Sequence, residues 1–438
     1  MRVGVVSLGC AKNRVDTEEM LSLLSQEGYE LTDKAEEAEV LVINTCGFIT
    51  SAKEESIDAI FEMAQHKQTG KCRALVVTGC LAQRYGEDLM REIPQIDVLS
   101  GVTQYDTLAQ AIDLALQKGE RQINTQRKKA FLHCGRVLTT PNHTAYIRIG
   151  EGCDNRCAYC AIPLIRGSHH SRPKEDILNE MKDMASKGVT EQILIAQDTT
   201  AWGRDVGNES LKDLMREASG IAGIKWLRVL YCYPDGTDKA LIDEMAAHDN
   251  ICRYLDLPLQ HASRKILRAM RRRGDIDEVK QLLAYARGKG FALRTTFIVG
   301  FPGETEEDFE ELMDFVRDVR FDRMGAFTFS PEEDTLAATM PLQVPEEVKK
   351  KRLERLMSLQ SQISSEQNQQ RIGKLEQVLC TGHQEGRYIG RSSWEAPDAD
   401  GLILFDADFP VKAGDFVKVE IRSADTYDLR GVAIEAMP

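Results

Sequence analysis

Four apolar, β-branched runs punctuate residues 1–120: RVGVVSL, AEVLVINT, CRALVVTG and IDVLSG. Such short continuous runs fit parallel strands buried on both faces. Between them, DTEEMLSLLSQEGYE, TSAKEESIDAIFEMAQ and TQYDTLAQAIDLALQ carry helical patterns, with Asp16 placed to cap the first. The alternation predicts an α/β domain over 1–120, an open parallel sheet with helices on both faces.

The stretch KGERQINTQRKKAF is polar, basic and aperiodic, and with the residues after it reads as a linker over 121–139. A second strand–helix series follows: TAYIRIG, EQILIAQ, KWLRVLYCY, RYLDLPL, FALRTTFIVG and RMGAFTFS, separated by helical patterns such as PKEDILNEMKDMASKG. A closed eight-unit barrel usually needs about 250 residues. Six strands over 140–370 therefore predict an open (βα)6 barrel, a partial TIM barrel. A long amphipathic helix, EEVKKKRLERLMSLQSQISSEQNQQ, leads out of it. From 371 to 438 short alternating strands separated by Gly, Asp and Pro predict a small antiparallel β-barrel.

Composition narrows the function classes. A net charge of −13 provides no global basic field for nucleic acid. No apolar run approaches the ~20 residues of a membrane span, and the start of the chain is too briefly apolar for a signal peptide. The expected compartment is the cytoplasm. There, eleven cysteines point away from a disulfide framework and towards metal ligation or redox chemistry. Cys72, Cys134, Cys232, Cys252 and Cys380 lack ligand spacing and read as small hydrophobes or incidental thiols.

The sharpest signal is GEGCDNRCAYCAIP, which packs Cys153, Cys157 and Cys160 into eight residues. A structural zinc site wants a fourth ligand, for which His169 and His170 are the near candidates. A cubane iron–sulfur cluster held by three thiolates leaves one iron open for a chelating small molecule. The spacing, the aromatic Tyr159 and a position just past the TAYIRIG strand, on the catalytic face of a (βα) barrel, favour the cubane.

Three more cysteines share one kind of place. Cys10, Cys46 and Cys80 each follow a successive strand of the first domain, in VVSLGC, LVINTCG and LVVTGC. Strand carboxyl ends form the ligand crevice of an open α/β sheet, so thiolates far apart in sequence converge into a second three-cysteine iron–sulfur site. Gly9, Gly47 and Gly79 are expected to let the backbone approach a bulky cluster.

Cys153, Cys157, Tyr159 and Cys160 give this chain a segment that resembles the CxxxCxΦC signature of the radical S-adenosylmethionine enzymes. The resemblance implies that the amino and carboxylate groups of S-adenosylmethionine chelate the vacant iron, and that its reductive cleavage yields a radical able to abstract hydrogen from carbon. SLGCAKNRVDTE, NTCGFI, TGCLAQRY, GEGCDNRCAYCAIPLIRGSHHSRP, QHASRKILRAMRR and TTFIVGFPGETEEDF together resemble the methylthiotransferases, and the tail resembles their OB-like TRAM domain. That likeness implies two [4Fe-4S] clusters, two molecules of S-adenosylmethionine per turnover, an electron donor and a sulfur source. It implies no catalytic residue beyond the cluster ligands.

One branch of the methylthiotransferases modifies an adenosine of transfer RNA; another modifies the β-carbon of an aspartate in the twelfth small-subunit ribosomal protein. From Arg371 onward eight basic residues face twelve acidic ones, a net of −4. An RNA-binding barrel needs a basic groove, whereas an acidic one suits a basic protein. SLGCAKN is also the form that the ribosomal-protein branch favours. The expected substrate is the ribosomal protein, with transfer RNA as the alternative and no direct nucleic-acid readout.

Further candidates are weaker. Gln197 and Asp198 end the EQILIAQD strand, and Gly300 and Gly303 shape the VGFPGET turn; these four, with Tyr159, are candidates for holding the nucleoside. Gln260 and His261 in PLQHAS, with Ser330 and, more loosely, Glu332 in FSPEED, are expected to line the substrate site. Arg166, His169 and His170 receive no role. The basic run Arg268, Arg271, Arg272 and Arg273 reads as a solvated helix end, where cations are favoured.

Overall fold

The computed structural model describes residues 1–437 except Lys129, Ala130, Leu132, His133 and Asn208. Four of the exceptions fall in the expected linker, whose reading there lies outside the described residues. The chain divides into two compact units, and each gathers separated stretches of sequence. The first comprises Met1–Thr139, Gly150–Arg172 and Ser330–Ala338.

In the first unit six strands, β1 (Arg2–Ser7), β2 (Glu30–Leu31), β3 (Val40–Thr45), β4 (Ala74–Gly79), β5 (Val98–Ser100) and β6 (Gln122–Asn124), form one sheet in the order β2-β1-β3-β4-β5-β6. Every pairing is parallel. Every residue of β3 and β4 is buried, which explains their unbroken apolar runs. Helices α1 (Ala11–Gln26), α2 (Thr50–Ala64), α3 (His66–Thr69), α4 (Cys80–Glu92) and α5 (Leu108–Lys118) connect the strands. Two clusters of buried side chains, one around Leu41, Ile43 and Val77 and the other around Val40, Val42 and Val76, cover the two faces.

Two expectations need correction in this unit. Asp16 does not cap α1. The helix begins at Ala11 with Cys10 at its cap position, and Asp16 lies buried inside it. Nor are residues 118–131 wholly linker. Gln122–Asn124 add the sixth strand, held by backbone pairing to β5 that side-chain periodicity does not announce.

The second unit comprises Thr140–Ile149, Pro173–Phe329 and Thr339–Pro438. Its strands β7 (Thr144–Arg148), β10 (Glu191–Ile195), β11 (Trp226–Val229), β12 (Tyr254–Asp256), β13 (Ala292–Val299) and β14 (Arg323–Thr328) pair in parallel as two triplets, and an isolated bridge runs from Leu227 of β11 to Ile251, just before β12. Helices α7 (Lys174–Ser186), α8 (Leu211–Ser219), α9 (Lys239–Ala246), α10 (Arg264–Ala269), α11 (Ile276–Gly288) and α12 (Glu306–Val319) alternate with them, as the six-unit pattern predicts. The numbers in between belong to the first unit: strands β8 (Gly150–Glu151) and β9 (His170–Ser171), and helix α6 (Ile162–Arg166).

A long helix, α13 (Glu346–Gln369), leads to a closed barrel of β15 (Leu375–Gln384), β16 (Arg387–Ser392), β17 (Ile403–Asp406), β18 (Phe416–Ala424) and β19 (Leu429–Met437). Four of its five pairings are antiparallel, as expected, but β17 and β19 close it in parallel. Buried ion pairs tie this barrel to the larger one: Glu191 on β10 accepts from Arg228 at 3.1 Å and from Arg391 on β16 at 2.6 Å. Among the described residues no helix is long and apolar enough to cross a membrane.

Candidate active site

Strand register brings the N-terminal cysteines together. The last ladder pair of β3 and β4 is Thr45 with Gly79, so the next residues, Cys46 and Cys80, leave the sheet side by side. Cys10 follows β1, the neighbour of β3 on its other side. The first long connection of the sheet turns back between β1 and β3, and ligands bind at such switch points in open α/β sheets. The three thiols are near enough that each of Cys46 and Cys80 feels the charge of Cys10.

The glycines let protein atoms approach one another closely. A Cβ at Gly9 would stand 2.9 Å from Cys46 Cβ, and one at Gly47 would stand 2.8 Å from the backbone of Leu81. Gly79 turns the chain from β4 into α4 at φ +93°, where a Cβ would meet Asn44 Oδ1 at 2.3 Å. Their missing side chains let the three strand ends close on one another; no gap for a cluster is needed to explain them.

Beneath the thiols lies a buried polar network. Asn13 on α1 donates to the carbonyls of Leu8 and Thr45, both at 3.0 Å, and Asn44 donates to the Asn13 carbonyl at 2.8 Å. The Asn13 Oδ1 accepts from Cys80 Sγ at 3.6 Å and from Arg166 Nη2 at 2.7 Å. Arg166 is itself buried, with Asp16 at 2.8 Å and both oxygens of Glu151 at 3.1 Å.

This environment sorts the thiols. Burial pushes the Cys80 thiol up to about 12, against the pull of Arg166. Burial also raises Cys46, with the Cys10 charge adding to it. Around Cys10 the surrounding protein disfavours charge, yet Lys12, Arg166 and the first amides of α1 outweigh it and bring the thiol below its ordinary value. Three soft sulfur donors facing a buried cation fit an iron–sulfur cluster, whose thiolate shell is anionic. Among the described residues no three His, Cys, Asp or Glu side chains gather as tightly as a single metal ion needs. A cubane makes no such demand, because it spreads its thiolates over separate irons.

The second triad occupies the loop between β8 and α6, in the same compact unit. β8 pairs antiparallel with β9 through Gly150–Ser171 and Glu151–His170, which clasps the base of the loop. Within the clasp the Cys153 amide donates to the Gly167 carbonyl at 3.1 Å, and the Cys160 amide to the Cys157 carbonyl at 3.1 Å. All three cysteines and Tyr159 are half-buried. Ala161 and Ile165 of the following turn and helix pack with Val102 against Cys80 of the other triad.

The remaining candidates scatter. Asp198 is buried past the end of β10, where it accepts from the Thr200 hydroxyl at 2.6 Å, and Gln197 beside it is half-buried. Glu304 fastens the VGFPGET turn by accepting from the Gly300 amide at 2.7 Å and the Phe301 amide at 3.2 Å. A Cβ at Gly300 would overlap Lys349, whereas Gly303 faces open space. Gln260 bridges to Phe297 on β13. His261 is fully buried, accepting the Ser263 amide at 2.9 Å with Glu304 at 3.5 Å. Ser330 donates to Glu332 at 3.0 Å, and buried Glu332 binds Lys53 and Arg84 at 2.9 Å each, so this pair fastens a segment of the first unit.

Sequence profiles match in three blocks: "Uncharacterized protein family UPF0004" over residues 2–101, the "Radical SAM superfamily" over 147–316 and the "TRAM domain" over 372–434. A ribosomal protein uS12 methylthiotransferase RimO from Desulforamulus reducens is 50% identical, covering 98% of each chain. The chain belongs to the RimO family. The RimO proteins of Pelotomaculum thermopropionicum and Clostridium botulinum are 49% and 47% identical, the first over 99% of both chains, the second over 99% of this chain and 98% of its own.

Solved structures resemble the chain in fold. The radical S-adenosylmethionine methyltransferase TsrM from Kitasatospora setae has a TM-score of 0.54 at 15% identity, covering 74% of this chain and 72% of its own. OxsB, a cobalamin-dependent S-adenosylmethionine radical enzyme, has a TM-score of 0.51 at 13% identity, covering 83% and 56%.

Sequence reasoning passed over the polar residues under the first triad of this RimO-family chain. Asn13 and Arg166 lie inside the motifs SLGCAKNRVDTE and GEGCDNRCAYCAIPLIRGSHHSRP, which was the available signal. Their partners, Asp16 and Glu151, stand in the same two motifs, but nothing in the sequence pairs one motif with the other.

Proposed function

We propose that this chain is a radical S-adenosylmethionine methylthiotransferase that places a methylthio group on the β-carbon of an aspartate in ribosomal protein uS12. The observation that carries the reading is the β3–β4 register, which sets Cys46 and Cys80 side by side next to Cys10, in the compact unit that also holds the CxxxCxxC loop. Full-length likeness to RimO proteins supports the choice of substrate.

In this reading Cys153, Cys157 and Cys160 hold one [4Fe-4S] cluster and Cys10, Cys46 and Cys80 hold a second. A cluster with S-adenosylmethionine supplies one-electron cleavage of a sulfonium, and with it hydrogen abstraction from an unactivated carbon. The chain's own residues position and shield. The β8–β9 clasp fixes the cysteine loop, and the Asn13–Asn44 network fixes the strand ends. On the larger barrel Gln197, Asp198 and the Gly300–Gly303 turn are the nucleoside-facing candidates, and Gln260 a substrate-facing one. An electron donor and a sulfur source complete the reaction, and the work takes place in the cytoplasm.

Mass spectrometry of uS12 and of bulk transfer RNA from a deletion strain tests the reading. We expect the methylthio mass on the uS12 aspartate to disappear and return when the gene is restored. Intact uS12 modification with loss of a 2-methylthio adenosine would overturn it in favour of the transfer-RNA reaction.

A further inference from the structure

The CxxxCxxC loop sends one residue into the N-terminal crevice. Arg166 ends α6, six residues after Cys160, yet its guanidinium lies among residues of α1, on the Asn13 oxygen that Cys80 also reaches. It is sealed from water: its side chain is 2% exposed, and those of Asp16 and Glu151 are 1% and 2%. An isolated buried cation is costly unless it is paired and hydrogen-bonded. Here one nitrogen serves both oxygens of Glu151, while the other serves Asp16 and Asn13. These partners fix where the guanidinium sits. Arg166 Nη2 and Cys80 Sγ share one acceptor, Asn13 Oδ1, at 2.7 and 3.6 Å, so the guanidinium stands next to a thiol of the first triad.

We propose that Arg166 is a positioning residue that sets the reduction potential of the cluster held by Cys10, Cys46 and Cys80, while anchoring the loop that carries Cys153, Cys157 and Cys160. The inference rests on the reading that the first triad holds a cluster. A fixed positive charge at short range in a low dielectric stabilises the more negative, reduced state of a cluster. Asp16 and Glu151 offset part of that charge and hold it in place. The loop residues themselves are never neighbours of the N-terminal thiols in sequence, so the arrangement makes the setting of one triad depend on the correct folding of the other.

The test uses the full chain, reconstituted anaerobically, with Cys153, Cys157 and Cys160 all changed to alanine so that one cluster remains. Iron and sulfide content and an electron paramagnetic resonance redox titration are measured with Arg166, Arg166→Gln, Arg166→Lys and Asp16→Asn. We expect Arg166→Gln to lower the midpoint potential, Arg166→Lys to restore most of it, and Asp16→Asn to raise it. Equal potentials for Arg and Gln, with the cluster present in both, would overturn the inference and leave the two-cluster reading standing. Absence of any cluster in the triple-alanine parent would overturn both. If Arg166→Gln fails to fold, Asp16→Asn decides alone: an upward shift supports the inference and no shift overturns it.

Discussion

Glu191 Oε2 accepts from Arg391 Nη2 at 2.6 Å, joining β10 of the larger barrel to β16 of the small one through two buried side chains. Arg228 approaches the same carboxylate at 3.1 Å. Removing the acid strands two cations without water, so Glu191→Gln is expected to destabilise the chain by about 3 kcal/mol. Calorimetry on the variant checks it through a lowered Tm.

The same carboxylate sets an acid limit. Burial acts to raise its pKa, but Arg391 and Arg228 prevail and hold it down at about 2, from an ordinary value of 4.5. A depressed native value means that the unfolded state binds the proton more tightly. The stabilisation from Glu191 is therefore full above pH 4.5 and drains as the pH falls towards about 2. Denaturant titrations across that window should show stability falling with pH, with a shallower slope in Glu191→Gln.

The two triads should separate by variant. Cys153→Ala is expected to abolish production of 5′-deoxyadenosine from S-adenosylmethionine by reduced enzyme. Cys46→Ala should still make it yet insert no sulfur into uS12, and should carry roughly half of the wild-type iron. Full sulfur insertion by Cys46→Ala would refute the role given to the first triad.

Gly79→Ala probes the strand ends. The new methyl group would lie 2.3 Å from Asn44 Oδ1 at a φ of +93°, so the chain must shift where Cys80 begins α4. The expected cost is about 2–3 kcal/mol, together with poor iron incorporation at the first triad. Gly28→Ala, at a similarly positive φ with no neighbour within 4 Å, isolates the backbone part of that cost.

Glu332→Gln should loosen the 330–338 segment. Its carboxylate holds Lys53 and Arg84, each at 2.9 Å, and lies below its ordinary pKa because these cations outweigh burial. We expect about 2 kcal/mol of destabilisation and faster protease cleavage within the segment.

Much of this architecture was legible because it is written in local pattern. Continuous apolar runs marked β1, β3, β4 and β5, and the eight-residue cysteine cluster marked the loop. What escaped depends on distant partners. Asp16 has the chemistry of a helix cap, and only Arg166, 150 residues away, shows why it is buried instead. Glu191 and Arg391 lie 200 residues apart, and neither stands in a motif. The strand Gln122–Asn124 is polar because it edges the sheet, so its pairing leaves no apolar trace. His261 is fully buried beside Ser263 and Glu304, and the second of these partners lies 43 residues on.

The first compact unit draws on three stretches that the ribosome releases at different times. When residue 139 emerges, Cys10, Cys46 and Cys80 are all available, but Arg166 and the strap carrying Glu332 are still to be made. Asp16 then has no guanidinium, and Lys53 and Arg84 have no carboxylate to grip. During synthesis the crevice thus waits as an unfinished half, and fragments cut at 139 should be poor vessels for iron.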